Sequence, residues 1–229
     1  MLKVMITPVT PFQQNCSIVW DPETMEGTAV DPGGDFDMLK QAIDQQGIKV
    51  TKVLLTHGHV DHASAAGTMA EHYGVKIEGP HEDDLFLIEG LPESGRKYNF
   101  PAYKPFVPDR WLINGETVSL GNQTLDVVHC PGHTPGHTVF AIQSGNARFL
   151  MMSDLTNNTA VFVRKPDWQA IVDMDGDQAR QTRHRMLDIA ASEKMQVAFY
   201  HAPFPATGHI LRDGAGAYQL VPALWQPLG

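Results

Sequence analysis

The chain has 229 residues, 42% of them hydrophobic and 19% charged, an ordinary globular composition with enough length to bury a sizeable core. Its 17 basic residues are scattered against 26 acidic ones, and the formal charge of −9 excludes nucleic-acid binding through a basic face. No apolar run approaches the roughly 18 residues that span a bilayer, and the opening MLKVMITPVTPF has no basic flank before an apolar stretch. A cytoplasmic protein without membrane contact is therefore expected, monomeric or homodimeric, with Cys16 and Cys130 as reduced, buried thiols.

In chain order, short apolar segments alternate with amphipathic ones, which predicts an α/β fold. Ser17–Trp20 and Thr28–Val30 read as a hairpin ending in the turn Asp31-Pro32-Gly33-Gly34. Phe36, Leu39, Ala42 and Ile43 recur at helical spacing up to Gly47. Lys52–Leu55 predicts a buried strand that runs into Thr56-His57-Gly58-His59. Ala65, Ala66, Met69, Ala70 and Tyr73 mark a helix face stopped by Gly74. Residues 79–110, rich in Pro and Gly, read as an insertion with one short helix around Asp84–Glu89. Strands follow near 116–120, 123–129, 137–142 and 147–152, then a helix near 177–192. On that helix Arg180, Arg183 and Arg185 read as a solvated face among Asp177, Asp188 and Glu193. A last strand, Gln196–Tyr200, leads into His201. No linker divides the chain, so 1–229 reads as one domain.

The chemistry concentrates in four places. Thr56-His57-Gly58-His59-Val60-Asp61-His62 puts four ligand-type residues within six positions at a strand end. Two histidines two apart can face one way on an extended segment, and an Asp and a His on the next helical turn point to a second centre. Imidazole plus carboxylate is the donor set of zinc or a neighbouring first-row metal. In His129-Cys130-Pro131-Gly132-His133-Thr134-Pro135-Gly136-His137, Pro and Gly fix a tight loop that can aim His133, while His137 reads as a supporting residue. Asp154 and His201 each end an apolar strand, with His209 as the competing candidate for the last ligand. His72, His81, His129 and His184 read as non-ligands.

In this order THGHVDH, HCPGHTPGH, Ser153-Asp154 and a late strand-end histidine resemble the metallo-β-lactamase superfamily, over nearly the whole chain. The resemblance implies a four-layer αββα sandwich with its site at one edge of two sheets. It also implies two divalent metal ions, zinc first, with manganese or iron as alternatives. His57, His59 and His133 would hold one ion, Asp61, His62 and His201 the other, and Asp154 would bridge. A metal-bridging hydroxide would then attack an ester-like bond in a small-molecule substrate, with Asp61 orienting it and passing on a proton. Asp31 is a plausible partner of a ligand histidine.

Two branches of the superfamily are visible. Gln14-Asn15-Cys16, Val30-Asp31-Pro32-Gly33, Pro108-Asp109-Arg110-Trp111 and HCPGHTPGH resemble short bacterial glyoxalase-II-like hydrolases through residue 150. From Ser153 onward, Asp173-Met174-Asp175-Gly176, Tyr200-His201-Ala202-Pro203-Phe204-Pro205 and Gly208-His209-Ile210 resemble the branch of methyl parathion hydrolase and lactonase-like enzymes. The chain reads as a mosaic of the two, natural or engineered. Thioester, lactone and activated phosphoester hydrolysis, and β-lactamase activity, all share these metal groups. A mononuclear iron persulfide dioxygenase on His57, His59 and His133 is the alternative from another reaction class. Substrate contacts are expected from Phe162, Arg164, Tyr200 and Phe204, whose apolar walls suit neutral substrates, with Arg164 as the nearest cation.

Overall fold

The computed structural model describes residues 2–214 and 216–224. Five strands form one sheet in the order β1 (Lys3–Val9), β2 (Gln14–Trp20), β3 (Glu26–Val30), β4 (Lys49–Leu54) and β5 (Lys76–Glu78). Seven form the other: β6 (Thr117–Leu120), β7 (Gln123–His129), β8 (Thr138–Ser144), β9 (Ala147–Ser153), β10 (Gln196–Phe199), β11 (Thr207–Arg212) and β12 (Tyr218–Pro222), lying side by side in chain order. Helix α1 (Phe36–Gln46) makes the crossover between parallel β3 and β4. Helices α2 (Val60–Ala63) and α3 (Ala66–Tyr73) link β4 to parallel β5. Next come a 3-10 turn (Glu82–Asp84) continuing into α4 (Leu85–Lys97), the short α5 (Thr159–Phe162), and α6 (Gly176–Ser192), which crosses between parallel β9 and β10.

Strand alternation sorts the core into three layers of contact. Ile18 and Val53 face α1 and α3 beside Leu39, Ile43 and Met69. Their neighbours Val19 and Leu54 point the other way, into the space between the sheets with Val127, Phe140 and Met151. Leu150 and Met152, flanking Met151, pack outward against Met186 and Leu187 of α6. The result is the αββα sandwich. Cys16 and Cys130 are buried free thiols, and among the described residues no helix is long and apolar enough to cross a membrane.

The structure corrects the sequence reading in places. Strands β1, β5, β11 and β12 go beyond the predicted elements, so Gln196–Phe199 is not the last strand. Helix α4 runs to Lys97 rather than ending near Glu89: Gly90 and Pro92 lie inside it, so neither breaks the helix. Arg183 is not on a solvated face: it is 1% exposed. Its position belongs to the buried stripe Ala179, Thr182, Arg183, Met186, Leu187, Ala190, whose helical spacing was the signal overlooked.

Phe140, fully buried between the sheets, should be the costliest kind of core truncation. Phe140→Ala is expected to lower the unfolding free energy by about 3–5 kcal/mol, read by urea titration with the slope unchanged.

Candidate metal centre

Four loops at neighbouring strand ends deliver the ionisable groups. β4 runs through Leu55 into Thr56–His59, and α2 begins at once with Asp61 and His62 on its first turn. β7 feeds the loop that carries His133, β9 ends directly before Asp154, and β10 ends just before His201. His209 lies elsewhere, exposed on β11 opposite Gln196 at the far end of β10, so the structure brings His201 into the cluster and not His209.

Three ring nitrogens converge first. His57 Nε2 and His133 Nε2 each lie 3.1 Å from His59 Nδ1. Burial, then the neighbouring imidazoles His62, His59 and His133, holds His57 well below the ordinary histidine range. Burial, then His133, pushes His59 down to about 3. These are neutral imidazoles with free lone pairs. A second group gathers alongside: His201 Nε2 is 3.3 Å from Asp61 Oδ2 and 3.2 Å from Asp154 Oδ2, and His62 Nε2 is 3.7 Å and 3.5 Å from the same two atoms. His133 Nε2 is 3.6 Å from Asp154 Oδ2, so this one oxygen faces both groups. Burial opposes ionisation of Asp154, but His62 and His201 outweigh it and hold the carboxyl well below its usual value. In return His201, despite burial, is raised to about 9 by Asp154 and Asp61.

A layer of supporting contacts aims these side chains. Asp31 accepts from the Thr56 N–H at 2.7 Å and the Thr56 hydroxyl at 2.5 Å, and its Oδ2 lies 2.9 Å from His62 Nδ1. Asp31 therefore takes the place expected of a ligand's partner. His137 packs buried 5.3 Å from the His57 ring, its Nδ1 3.2 Å from the Cys130 carbonyl. The sequence reading missed Asp173. Its Oδ1 is 3.1 Å from His133 Nδ1, and its Oδ2 accepts from Arg183 at 3.1 Å. Arg183 also donates to the carbonyls of Leu155, Pro166 and Trp168, which fixes the segment after Asp154 against α6.

The donor set fits two metal ions. His59 Nδ1 carries either one proton or one lone pair, so it can pair with only one of the two ring nitrogens that lie 3.1 Å from it. Buried His62 Nε2 and Asp154 Oδ1 have no hydrogen-bond partner among the described residues. Such groups are costly unless a ligand completes them. The His57–His59–His133 and Asp61–His62–His201 sets each place their donor atoms within 4.8 Å of one another. Nitrogen and carboxylate donors together suit zinc or its first-row neighbours. His81, Asp83 and His129 also gather at the surface. There the two rings are stacked 4.3 Å apart at 17°, so no single ion can lie in both ring planes.

A cavity of about 620 Å³ opens over the centre, lined by His59, Asp61, His133, Asp154 and His201 at its floor. Its walls are Phe12, Leu87, Tyr98, Val172 and Met174, with Ser94, Lys97 and Asn157. The four expected substrate contacts lie elsewhere. Tyr200 is buried behind the floor, stacked on His62 at 5.7 Å. Phe162 lies under the Arg183 guanidinium at 4.9 Å. Arg164 and Phe204 line a separate hollow with Pro203 and Leu220. The 79–110 insertion walls the cavity through α4, and the segment after Asp154 supplies Asn157.

The chain belongs to the metallo-β-lactamase superfamily: the family model matches residues 9–201. It is 44% identical over 140 residues to the hydroxyacylglutathione hydrolase GloC of Haemophilus influenzae, a stretch covering 61% of this chain and 66% of that protein. It is 31% identical over 123 residues to a hydroxyacylglutathione hydrolase of Rhizobium johnstonii, covering 54% of this chain and 41% of the relative. These matches thus span less than two thirds of either relative's length. Among solved structures, TTHA1623 in a di-iron-bound form superposes with a TM-score of 0.73 at 26% identity, covering 90% of this chain and 94% of that one.

Removing the Asp173 carboxylate would leave the buried Arg183 cation without its charge partner. Asp173→Ala is expected to cost about 3–5 kcal/mol of stability. Chemical denaturation checks it, and a loss under about 1 kcal/mol would mean that the carbonyl acceptors alone satisfy Arg183.

Proposed function

We propose that this chain is a dinuclear metallo-hydrolase of ester-like bonds, acting on a small hydroxyacyl thioester with an anionic body. The observation that carries the reading is the single Asp154 oxygen set between a three-imidazole group and an Asp–His–His group on the floor of an open cavity. His57, His59 and His133 would hold one ion, Asp61, His62 and His201 the other, and Asp154 both. When bound, two divalent ions supply a water that ionises near neutral pH and a Lewis acid for the reacting oxygen. Zinc suits the donors, and manganese or iron would serve the same sites.

The protein's own groups do the rest. Asp61, at the cavity floor, is placed to take the proton of an attacking water and return it to the leaving group. Its carboxyl is held below its usual value: burial opposes ionisation, and His62 outweighs it. Asp31 and Asp173 keep His62 and His133 in the tautomer and orientation that present Nε2 to the cavity side. The complete Asp61–His62–His201 set distinguishes this floor from one built for a single iron on three histidines, and so speaks against the persulfide dioxygenase alternative.

The walls point to the substrate. Phe12, Leu87, Tyr98, Val172 and Met174 offer apolar contact, and Lys97 is the one Lys or Arg among the described residues lining the cavity. Lys97 and Ser94 are three apart on α4 and share a face. An ammonium there can meet a substrate carboxylate at the rim while the scissile bond rests on the floor. This replaces the expectation of neutral substrates, which rested on apolar walls such as Phe162 and Phe204. The names of the glyoxalase-II-like relatives point the same way.

Two outcomes test this reading. Reconstituted protein should bind about two metal ions per chain and lose activity with a chelator. Asp154→Ala should reduce binding at both positions, and one ion with full activity would refute the dinuclear site. Lys97→Ala should raise KM for S-lactoylglutathione about 2–5-fold, the scale of a solvent-exposed ion pair, with a neutral aryl ester nearly unaffected. Equal changes for both substrates would remove Lys97 as the anion contact.

A further inference from the structure

The three-imidazole group is assembled from two loops far apart in sequence, and one side chain outside the centre touches both. Asp84, fully buried at the junction of the 3-10 turn and α4, accepts through Oδ2 from the Gly58 N–H at 2.9 Å and the Thr134 hydroxyl at 2.8 Å. Its Oδ1 accepts from the Gly136 N–H at 2.6 Å. Gly58 stands between His57 and His59, and Thr134 follows His133. The contact is too close for larger residues. A Cβ on Gly136 would meet Asp84 Cγ at 2.7 Å, and one on Gly58 would meet Leu87 Cβ at 2.7 Å. Glycines in both motifs are thus required for the loops to close on this turn. Each of the three partners donates, so both oxygens must accept, which a carboxylate does and an amide cannot.

We propose that Asp84 is a positioning residue that sets the spacing of His59 and His133. It thereby sets the affinity of the ion held by His57, His59 and His133, and ties the α4 wall to that ion. This rests on the dinuclear reading above. Asp84 does not touch the centre. It acts through the main chain of Gly58 and Gly136 and through Thr134, and α4, which starts next to it, carries Leu87, Ser94 and Lys97 into the cavity wall.

The test is stepwise zinc binding by full-length wild type, Asp84→Asn and Thr134→Val, by competition with a chromophoric chelator. Imidazole 15N NMR identifies which histidines respond at each step. Asp84→Asn keeps the size but turns an N–H₂ toward a donor. It should weaken the ion on His57, His59 and His133 about 10–100-fold, the usual range for loss of an outer partner, and leave the ion on His62 and His201 within about 2-fold. For turnover, kcat should fall with KM for the thioester nearly unchanged. Thr134→Val removes one donor without adding another and should show the same selective loss at smaller size, which decides the matter if Asp84→Asn does not fold. Wild-type constants in a folded Asp84→Asn, or equal weakening of both ions, would overturn the proposal, as would unchanged binding by Thr134→Val where Asp84→Asn fails to fold. Wild type that binds fewer than two ions would instead overturn the dinuclear reading itself.

Discussion

Two carboxylates and five imidazoles share a floor a few ångströms across, where water cannot reach most of them. That crowding is the constraint on which the surrounding structure depends. A buried ionisable group must be paired or completed by a ligand, or it shifts to its neutral form. Both responses are present side by side. Among the three converging imidazoles, His57 and His59 are driven neutral by burial and by each other. Asp61 and Asp154 stay ionised because His62 and His201 take up positive charge against them. The three-imidazole group thus offers lone pairs and the other group offers carboxylates, while an ion bound beside His62 and His201 would displace the protons they hold.

Holding such a floor open takes more than the donors. Three carboxylates behind it each tie a donor loop to something rigid. Asp31 locks His62 to Thr56 at the end of β4, Asp173 locks His133 to Arg183 on α6, and Asp84 locks the first loop to the second. Each sits at the end of a strand or next to a helix, where the backbone is fixed. The sheets set where the four loops leave, and these carboxylates set which way their side chains point. Orientation is therefore carried by charge-assisted hydrogen bonds as much as by packing.

The floor was legible in the sequence because its signal is local. HGHVDH puts four donors within six residues, and a strand running straight into them leaves little choice of direction. The layers were legible for the same reason: alternation in Ile18-Val19 and Val53-Leu54 follows from strand geometry. What failed is not local. Tyr200 and Phe204 flank His201 in sequence and looked like walls, yet alternation at the strand end turns Tyr200 into the core. The Pro203–Pro205 turn carries Phe204 to another hollow. Arg183 looked solvated by composition, because its four acceptors come from segments that only tertiary structure brings to it. Asp84 carries no motif, Asp173 lies in one that says nothing of its role, and the part each plays is recognisable only by what it touches.

The walls obey a different rule from the floor. They come from single helices and loops laid across the sheet edge, not from the strands. Phe12 lies in the turn between β1 and β2, Leu87, Ser94, Lys97 and Tyr98 come from α4 and its end, and Val172 and Met174 come from the segment before α6. Phe12 packs edge-on against Tyr98 at 5.7 Å and Phe100 at 5.6 Å, so the rim is one aromatic cluster built from two distant segments. A helix can change its cavity-facing residues at three- and four-residue spacing without disturbing any donor. The floor cannot, since each of its groups partners several others. The fold thus separates what must stay constant for the reaction from what is free to vary with the substrate. Lys97, the proposed anion contact, lies on such a variable wall, and its helix α4 starts at the same buried turn that holds the two histidine loops together.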